Sequence, residues 1–170
     1  IEGGDGNDII RAFSGNDSID GGNGNDVIVT GIGDDTAFGG LGADLLRSGG
    51  GNDELRGGTA ADTILGAGGD DFLFGEAGND LIDGSFGDDY LEGGTGVDRF
   101  RYDGSSGDDI IGDFENGTDR ILIAETIAMN FAELDVQNFG NNAIVTLPNG
   151  NTITLLGMGG LVDAADFTFF

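Results

Sequence analysis

The chain has 170 residues, no cysteine and no histidine, so it carries no disulfide framework, no thiolate metal site and none of the side chains most used as zinc ligand or general base. Thirty-two acidic residues stand against six arginines and no lysine, a formal net charge of −26, which argues against nucleic acid or an anionic membrane as the main partner. No apolar run reaches membrane-spanning length and no N-terminal signal segment is visible.

The chain opens in mid-repeat at Ile1-Glu2-Gly3-Gly4, as expected of a segment cut from a longer protein. From Asp8 an aspartate falls on every ninth residue: Asp8, Asp17, Asp26, Asp35, Asp44, Asp53, Asp62, Asp71, Asp80, Asp89 and Asp98. The residue two after each is apolar: Ile10, Ile19, Ile28, Ala37, Leu46, Leu55, Ile64, Leu73, Ile82, Leu91 and Phe100. The residue two before each is glycine except at Ala60. The unit is G-G-x-G-x-D-x-U-x, with U apolar, and it is cleanest in residues 21–29 and 93–101.

The segment x-U-x is a minimal strand, because side-chain alternation turns U to one face and its neighbours to the other. The glycine-rich residues before it can take positive φ and turn sharply. Strand, turn, strand, turn predicts an eighteen-residue coil, and stacked coils predict two short parallel sheets with the U side chains between them. Six coils at ordinary strand spacing make a rod of roughly 29 Å. One apolar side chain per nine residues is a thin core, so the turns need another source of cohesion. Each turn gathers a carboxylate and several carbonyls above an identical turn, and a hard divalent cation would convert that repulsion into a staple.

The coils alternate edges, so the aspartates separate by parity. Asp8, Asp26, Asp44, Asp62, Asp80 and Asp98 share one edge; Asp17, Asp35, Asp53, Asp71 and Asp89 share the other. After a two-residue insertion an offset loop, Gly104-Ser105-Ser106-Gly107-Asp108-Asp109 with Ile111 as its apolar residue, is placed to complete the second ladder. Ala12-Phe13 replace both leading glycines of the second loop, which makes the Asp17–Asp35 site the most compromised. Ala60 resists positive φ and makes Asp44–Asp62 the next; Thr30, Ser48, Ala67, Glu76 and Ser85 are milder departures.

Outward positions predict an apolar column, Ile9, Val27, Leu45 and Leu81, on one sheet and an aromatic cluster, Phe38, Phe72, Phe74 and Tyr90, on the other. The aromatics are candidates for a ligand surface suited to sugar rings; packing against the C-terminal region or a neighbouring domain is the alternative. Arg11, Arg47 and Arg101 share an outer column and are expected to pair with nearby acids.

Residues 112–170 read as a capping region. Asp113-Phe114-Glu115-Asn116-Gly117-Thr118-Asp119-Arg120-Ile121 changes register, and its physical job would be to cover the open strand edge, which otherwise templates aggregation. A short helical turn is expected over Ile127 to Leu134, then strands at Leu134–Asn138, Ala143–Leu147 and Thr152–Leu156, with Pro148-Asn149-Gly150 turning between the last two. The end, from Asp163 to Phe170, reads either as a terminal core strand or as a secretion tail.

The in-phase nonapeptides resemble the RTX (repeats-in-toxin) calcium-binding repeat, over about two-thirds of the chain. The resemblance implies an all-β fold: a right-handed parallel β-roll over residues 1–111 with a small β-rich cap over 112–170. It implies calcium as the cofactor, up to about ten ions. Each ion would take the aspartate and the carbonyls of positions one and three of one loop, with the aspartate and the carbonyls of positions two and four of the loop one coil above. For positions one and three that names Gly3 and Asp5, Gly21 and Asn23, Thr30 and Ile32, Gly39 and Leu41, Ser48 and Gly50, Gly57 and Thr59, Gly66 and Gly68, Gly75 and Ala77, and Gly84 and Phe86. For positions two and four it names Gly22, Gly24, Gly31, Gly33, Gly40, Gly42, Gly49, Gly51, Gly58, Ala60, Ala67, Gly69, Glu76, Gly78, Ser85, Gly87, Gly94, Gly96, Ser105 and Gly107; the last rung's carboxylate is Asp109.

Two function classes follow. One is a secreted module that passes a type I secretion channel unfolded and folds on calcium outside, stabilising a larger extracellular protein. The other is a carbohydrate- or surface-binding module of an adhesin, surface-layer protein or polysaccharide-modifying enzyme. Catalysis within these residues is disfavoured, since the carboxylates are spaced for ions and no nucleophile–base arrangement exists. An enzymatic parent such as a protease, lipase or alginate epimerase would carry its catalytic domain elsewhere.

Overall fold

Each repeat apolar residue becomes the inward-facing residue of a short strand, and successive strands fall alternately into two sheets. The computed structural model describes residues 1–104, 106–158 and 160–170. The first sheet stacks Glu2–Asp5, Ser18–Asn23, Thr36–Leu41, Glu54–Thr59, Phe72–Gly78, Tyr90–Glu92 and Asp109–Ile111, all parallel. The second stacks Ile9–Arg11, Val27–Val29, Leu45–Arg47, Thr63–Gly68, Leu81–Phe86, Arg99–Tyr102, Arg120–Ile123 and Phe167–Phe169, also parallel. Pairing advances by one eighteen-residue coil, as in Leu55 opposite Leu73 and Ile28 opposite Leu46. The chain is an all-β parallel β-roll.

The inward columns run Ile19, Ala37, Leu55, Leu73, Leu91, Ile111 on one sheet and Ile28, Leu46, Ile64, Ile82, Phe100, Ile121 on the other, all buried. Register then shifts. Tyr90 pairs Ile110, twenty residues on, and Phe100 pairs Ile121, twenty-one on, so the insertions are absorbed in the loops and the ladder continues.

Beyond Ile111 the first sheet is extended by Thr152–Leu155, parallel to Asp109–Ile111, and then by antiparallel Asn142–Thr146 and Asp135–Phe139. These strands stand within one or two residues of the expected ones, with the turn at Pro148-Asn149-Gly150 in place. The helical turn expected over Ile127 to Leu134 is a single 3₁₀ turn, Phe131–Glu133. Asn130 caps it, its side chain accepting the Ala132 N–H, and the backbone is extended again by Leu134. The last residues form a strand, Phe167–Phe169, on the end of the second sheet, with Phe167 packed against Phe131 at 5.3 Å between ring centroids.

Candidate metal centre

The two edges of the roll carry the aspartates as continuous ladders. Each Oδ1 accepts the backbone N–H of the aspartate one coil below, at 2.7–3.0 Å. One ladder climbs Asp8, Asp26, Asp44, Asp62, Asp80, Asp98; the other climbs Asp17, Asp35, Asp53, Asp71, Asp89 and Asp109, so the offset loop does take the expected rung. The first ladder has one rung more than sequence reasoning assigned. Asp119 accepts from Asp98 at 3.0 Å. Its signal was legible, because Gly117-Thr118-Asp119-Arg120-Ile121 is G-x-D-x-U, displaced by three residues from the repeat phase.

A second ladder set was also missed. The residue before each repeat aspartate is usually Asn or Asp, and its Oδ1 accepts the N–H of the equivalent residue one coil above. Asn7 accepts from Asn25, Asn25 from Ala43, Asn52 from Asp70, Asp70 from Asp88 and Asp88 from Asp108, all at 2.8–3.0 Å. The two sets run in opposite directions and tie each turn to the coils above and below.

The other carboxylate oxygen has no partner. The Oδ2 atoms of Asp8, Asp26, Asp35, Asp44, Asp53, Asp62, Asp71, Asp80, Asp89 and Asp98 are buried and accept nothing. A buried charged oxygen left bare is costly, and a column of them asks for a cation. The glycines show where it fits. A Cβ built on Gly21 would lie 2.5 Å from Asp26 Oδ2 and 2.6 Å from the Gly39 carbonyl oxygen. On Gly39 it would lie 2.5 Å from both Asp44 Oδ2 and the Gly57 oxygen, and on Gly75 2.5 Å from both Asp80 Oδ2 and the Gly93 oxygen. Calcium sits about 2.3–2.6 Å from its oxygens. The first glycine of the repeat therefore leaves open a cradle of calcium size, whose nearest atoms are a carboxylate oxygen and a carbonyl oxygen. No three acidic side chains converge among the described residues, so the donors are single carboxylates joined by carbonyls. The residues present fit the ion.

Burial sets the electrostatics. It pushes the carboxyls of Asp62, Asp71 and Asp109 up to about 7, and those of Asp89, Asp98 and Asp119 to about 6, with like-charged neighbours adding to the rise. Asp44, Asp53 and Asp80 are raised by the same cause. A bound divalent cation would reverse this by favouring the charged form.

Most residues at positions two and four of the nonapeptides take positive φ, with Phe13, Gly49 and Gly78 as exceptions. Four residues with side chains adopt it: Ala60 at 79°, Ala67 at 75°, Glu76 at 72° and Ser85 at 70°. Ala60 was expected to resist; the stacked turns above and below override its preference. Ser105, an expected donor, lies outside the described residues, while Gly107 donates its N–H to the Gly87 carbonyl at 3.0 Å.

On the outer face of the first sheet Tyr90 packs against Phe72 and Phe74, with centroids 5.9 and 6.3 Å apart, and Arg56 lies over Phe74 at 4.3 Å. Phe38 is separated from Phe74 in their column by Arg56, so the cluster is three rings, not four. Arg101 pairs with Asp83 and Asp103, as expected of that column.

A family model described as the RTX calcium-binding nonapeptide repeat matches in four copies, at residues 1–28, 29–64, 48–82 and 65–100. The chain belongs to the RTX calcium-binding repeat family. Among solved structures it is similar to the AlgE6R3 subunit of the Azotobacter vinelandii mannuronan C5-epimerase, with 29% identity over 69% of this chain and 77% of that one, at a TM-score of 0.52. The AlgE6R2 subunit of the same enzyme matches at 22% identity, 83% and 91% coverage and a TM-score of 0.49. The extracellular lipase LipA from Serratia marcescens matches at 18% identity, 92% of this chain and 40% of that one, with a TM-score of 0.42. No curated protein matches. As an RTX repeat domain, the chain binds calcium as a structural module and is not itself catalytic.

Proposed function

We propose that residues 1–111 are a calcium-driven folding module, closed by a cap over 112–170, that orders itself outside the cell and stabilises a longer secreted protein. The observation that carries this is the column of ten buried Oδ2 atoms with no partner. In calcium-poor cytosol those carboxylates repel and the thin core cannot hold the coils, which suits passage through a type I secretion channel as an open chain. In millimolar calcium the cradles fill, and ion binding becomes folding free energy. Stacked, similar coils make the response steep. In this role the donors are the repeat aspartates and turn carbonyls, and the ion supplies the charge that cancels theirs. Far-UV circular dichroism on titrating calcium tests it: coil should become sheet with calcium and not with magnesium, which demands a tighter octahedron and sheds water reluctantly. Equal sheet content in chelator would refute it.

A second reading has its own support. Phe72 is 54% exposed beside Tyr90 and Phe74 on a face that the C-terminal strands leave uncovered, an arrangement suited to stacking a sugar ring. In that reading the module holds an extracellular polysaccharide. Calcium-dependent retention by a glycan, lost in Phe72→Ala and Tyr90→Ala, is its test; the absence of such retention counts against it.

A further inference from the structure

The two edges are not equivalent. On the first ladder every cradle is opened by a glycine: Gly3, Gly21, Gly39, Gly57, Gly75 and Gly93. On the second, only Gly66 and Gly84 do so; the same position in the three coils below holds Ala12, Thr30 and Ser48. All three are buried, with Thr30 at 0% exposure and Ser48 at 2%.

The geometry points to a cation column that is complete on one edge and starts only at Asp71 on the other. The argument is one of space. A Cβ at Gly3, Gly21, Gly39, Gly57, Gly66 or Gly75 falls within 3 Å of both the loop's own Oδ2 and the carbonyl one coil above, and at Gly84 or Gly93 it meets the loop's own Oδ2, so a real Cβ in the cradle competes with the ion for the same space. Ser48 shows the replacement directly. Its hydroxyl donates to the Gly66 carbonyl, the oxygen that tops the cradle above Asp53. The buried Thr30 hydroxyl has no partner and lies in the equivalent turn beside Asp35.

Strand lengths record the same change independently. Ile9–Arg11, Val27–Val29 and Leu45–Arg47 stop after three residues, just before Ala12, Thr30 and Ser48. Thr63–Gly68 and Leu81–Phe86 run for six, straight through Gly66 and Gly84. Tyr90–Glu92 also stops short, but there Asp113 takes the N–H groups of Gly93 and Gly94 at 2.9 and 2.7 Å. Past these side chains the regular strand gives way to isolated bridges, Ser14 to Ile32 and Ile32 to Gly50, while single backbone hydrogen bonds such as Ile32 N–H to the Phe13 carbonyl at 2.9 Å still tie the turns together.

The inference rests on the calcium reading above and adds a count: eight open cradles and three filled ones. It also adds a sign. At an open cradle an ion offsets the cost of burying the aspartate; at the cradle that Thr30 fills, the Asp35 Oδ2 stays buried without a partner. Bound calcium counted by plasma mass spectrometry on the folded full chain should give about eight ions, and the Thr30→Gly/Ser48→Gly double variant about ten. Gly39→Ser should lose one. In saturating calcium Asp44→Asn should lower the melting temperature, whereas Asp35→Asn should leave it unchanged or raise it. Ten or more ions on the unaltered chain, an unchanged count in the double variant, or equal losses from the two aspartate substitutions would overturn the inference while leaving the calcium reading intact. A count of zero would overturn both. Should the double variant fail to fold, anomalous scattering from crystals of the unaltered chain decides the matter: density between Asp35 and Asp53 equal to that between Asp44 and Asp62 refutes it.

Discussion

Residues 1–111 and 112–170 extend the same two sheets by different means. In the repeat coils each stretch of nine residues buries one apolar side chain and one aspartate, and the strands that pair are a full coil apart in sequence. In the C-terminal region Phe114, Val145, Ile153, Met158 and Val162 fill the interior, Asp135–Phe139, Asn142–Thr146 and Thr152–Leu155 pair antiparallel across short turns, and Asp163 and Asp166 cap each other's backbone in a capping box. The first design buries charge and needs a partner for it; the second buries hydrocarbon and satisfies its polar groups locally. Cation dependence should therefore belong to the coils, with the C-terminal strands depending on them only as a template.

Removing calcium is the harshest way to break that comparison. In chelator, amide hydrogen exchange should lose protection throughout the coils, because every coil depends on the charge cancelled along at least the first edge. Protection that persists in residues 18–92 under chelator would show that the thin core suffices alone.

Acid should recover part of what chelation removes. The carboxyls of Asp62, Asp71 and Asp109 are pushed up by burial to about 7 in the folded chain, against 3.8 for an unperturbed Asp. Between those values the folded form holds more protons than the unfolded one, so metal-free stability is fully present at the acid end and is lost as pH rises through about 7. Calcium-stripped protein should therefore gain sheet signal on going from roughly pH 8 to pH 5. With calcium the direction reverses, since protons compete with the ion for the same oxygens. A metal-free chain that is equally unfolded across this range would mean that the buried carboxylates are not what keeps it open.

Core truncation compares the two regions residue for residue. Leu73→Ala in mid-roll, where the side chain is fully buried between coils, should cost about 2–5 kcal/mol in saturating calcium. Its loss is felt by the coils on both sides, so the calcium midpoint should rise with it. Val145→Ala, equally buried in the C-terminal hairpin, should destabilise that hairpin and shift the midpoint less. Denaturant melts of both variants at fixed calcium, paired with calcium titrations, separate the two effects.

The sequence made the coils legible because a strict period forces each residue type into one structural role. An aspartate at every ninth place, with a glycine two before and an apolar residue two after, fixes edge, turn and core together. Asp119 escaped because its loop breaks phase, although its local pattern is the same. The Asn and Asp ladder escaped because those residues read equally well as ordinary turn formers, and only stacking shows that Asn52 caps the next coil's backbone and not its own. Thr30 and Ser48 read as mild departures in sequence; their consequence depends on where a Cβ points, which only the stacking of the coils reveals. The C-terminal strands were placed to within a residue or two, but their attachment to the roll was not, since nothing local says that Thr152–Leu155 lies parallel on Asp109–Ile111.

The smallest effect concerns backbone alone. Ala60 holds φ at 79° in a position that nearly every other coil gives to glycine. Left-handed backbone costs a residue with a Cβ about 1–2 kcal/mol, and glycine returns roughly 0.5–1 kcal/mol of that as extra entropy of the unfolded chain. Ala60→Gly should therefore stabilise the roll by about 0.5–1 kcal/mol, read as a higher denaturant midpoint in saturating calcium. The position lies on the first ladder, where the cradles are all open, so the gain should come without any change in the number of bound ions. If the variant instead binds one ion more, the turn at Ala60 was blocking a site, and the asymmetry between the edges would be smaller than the cradles imply.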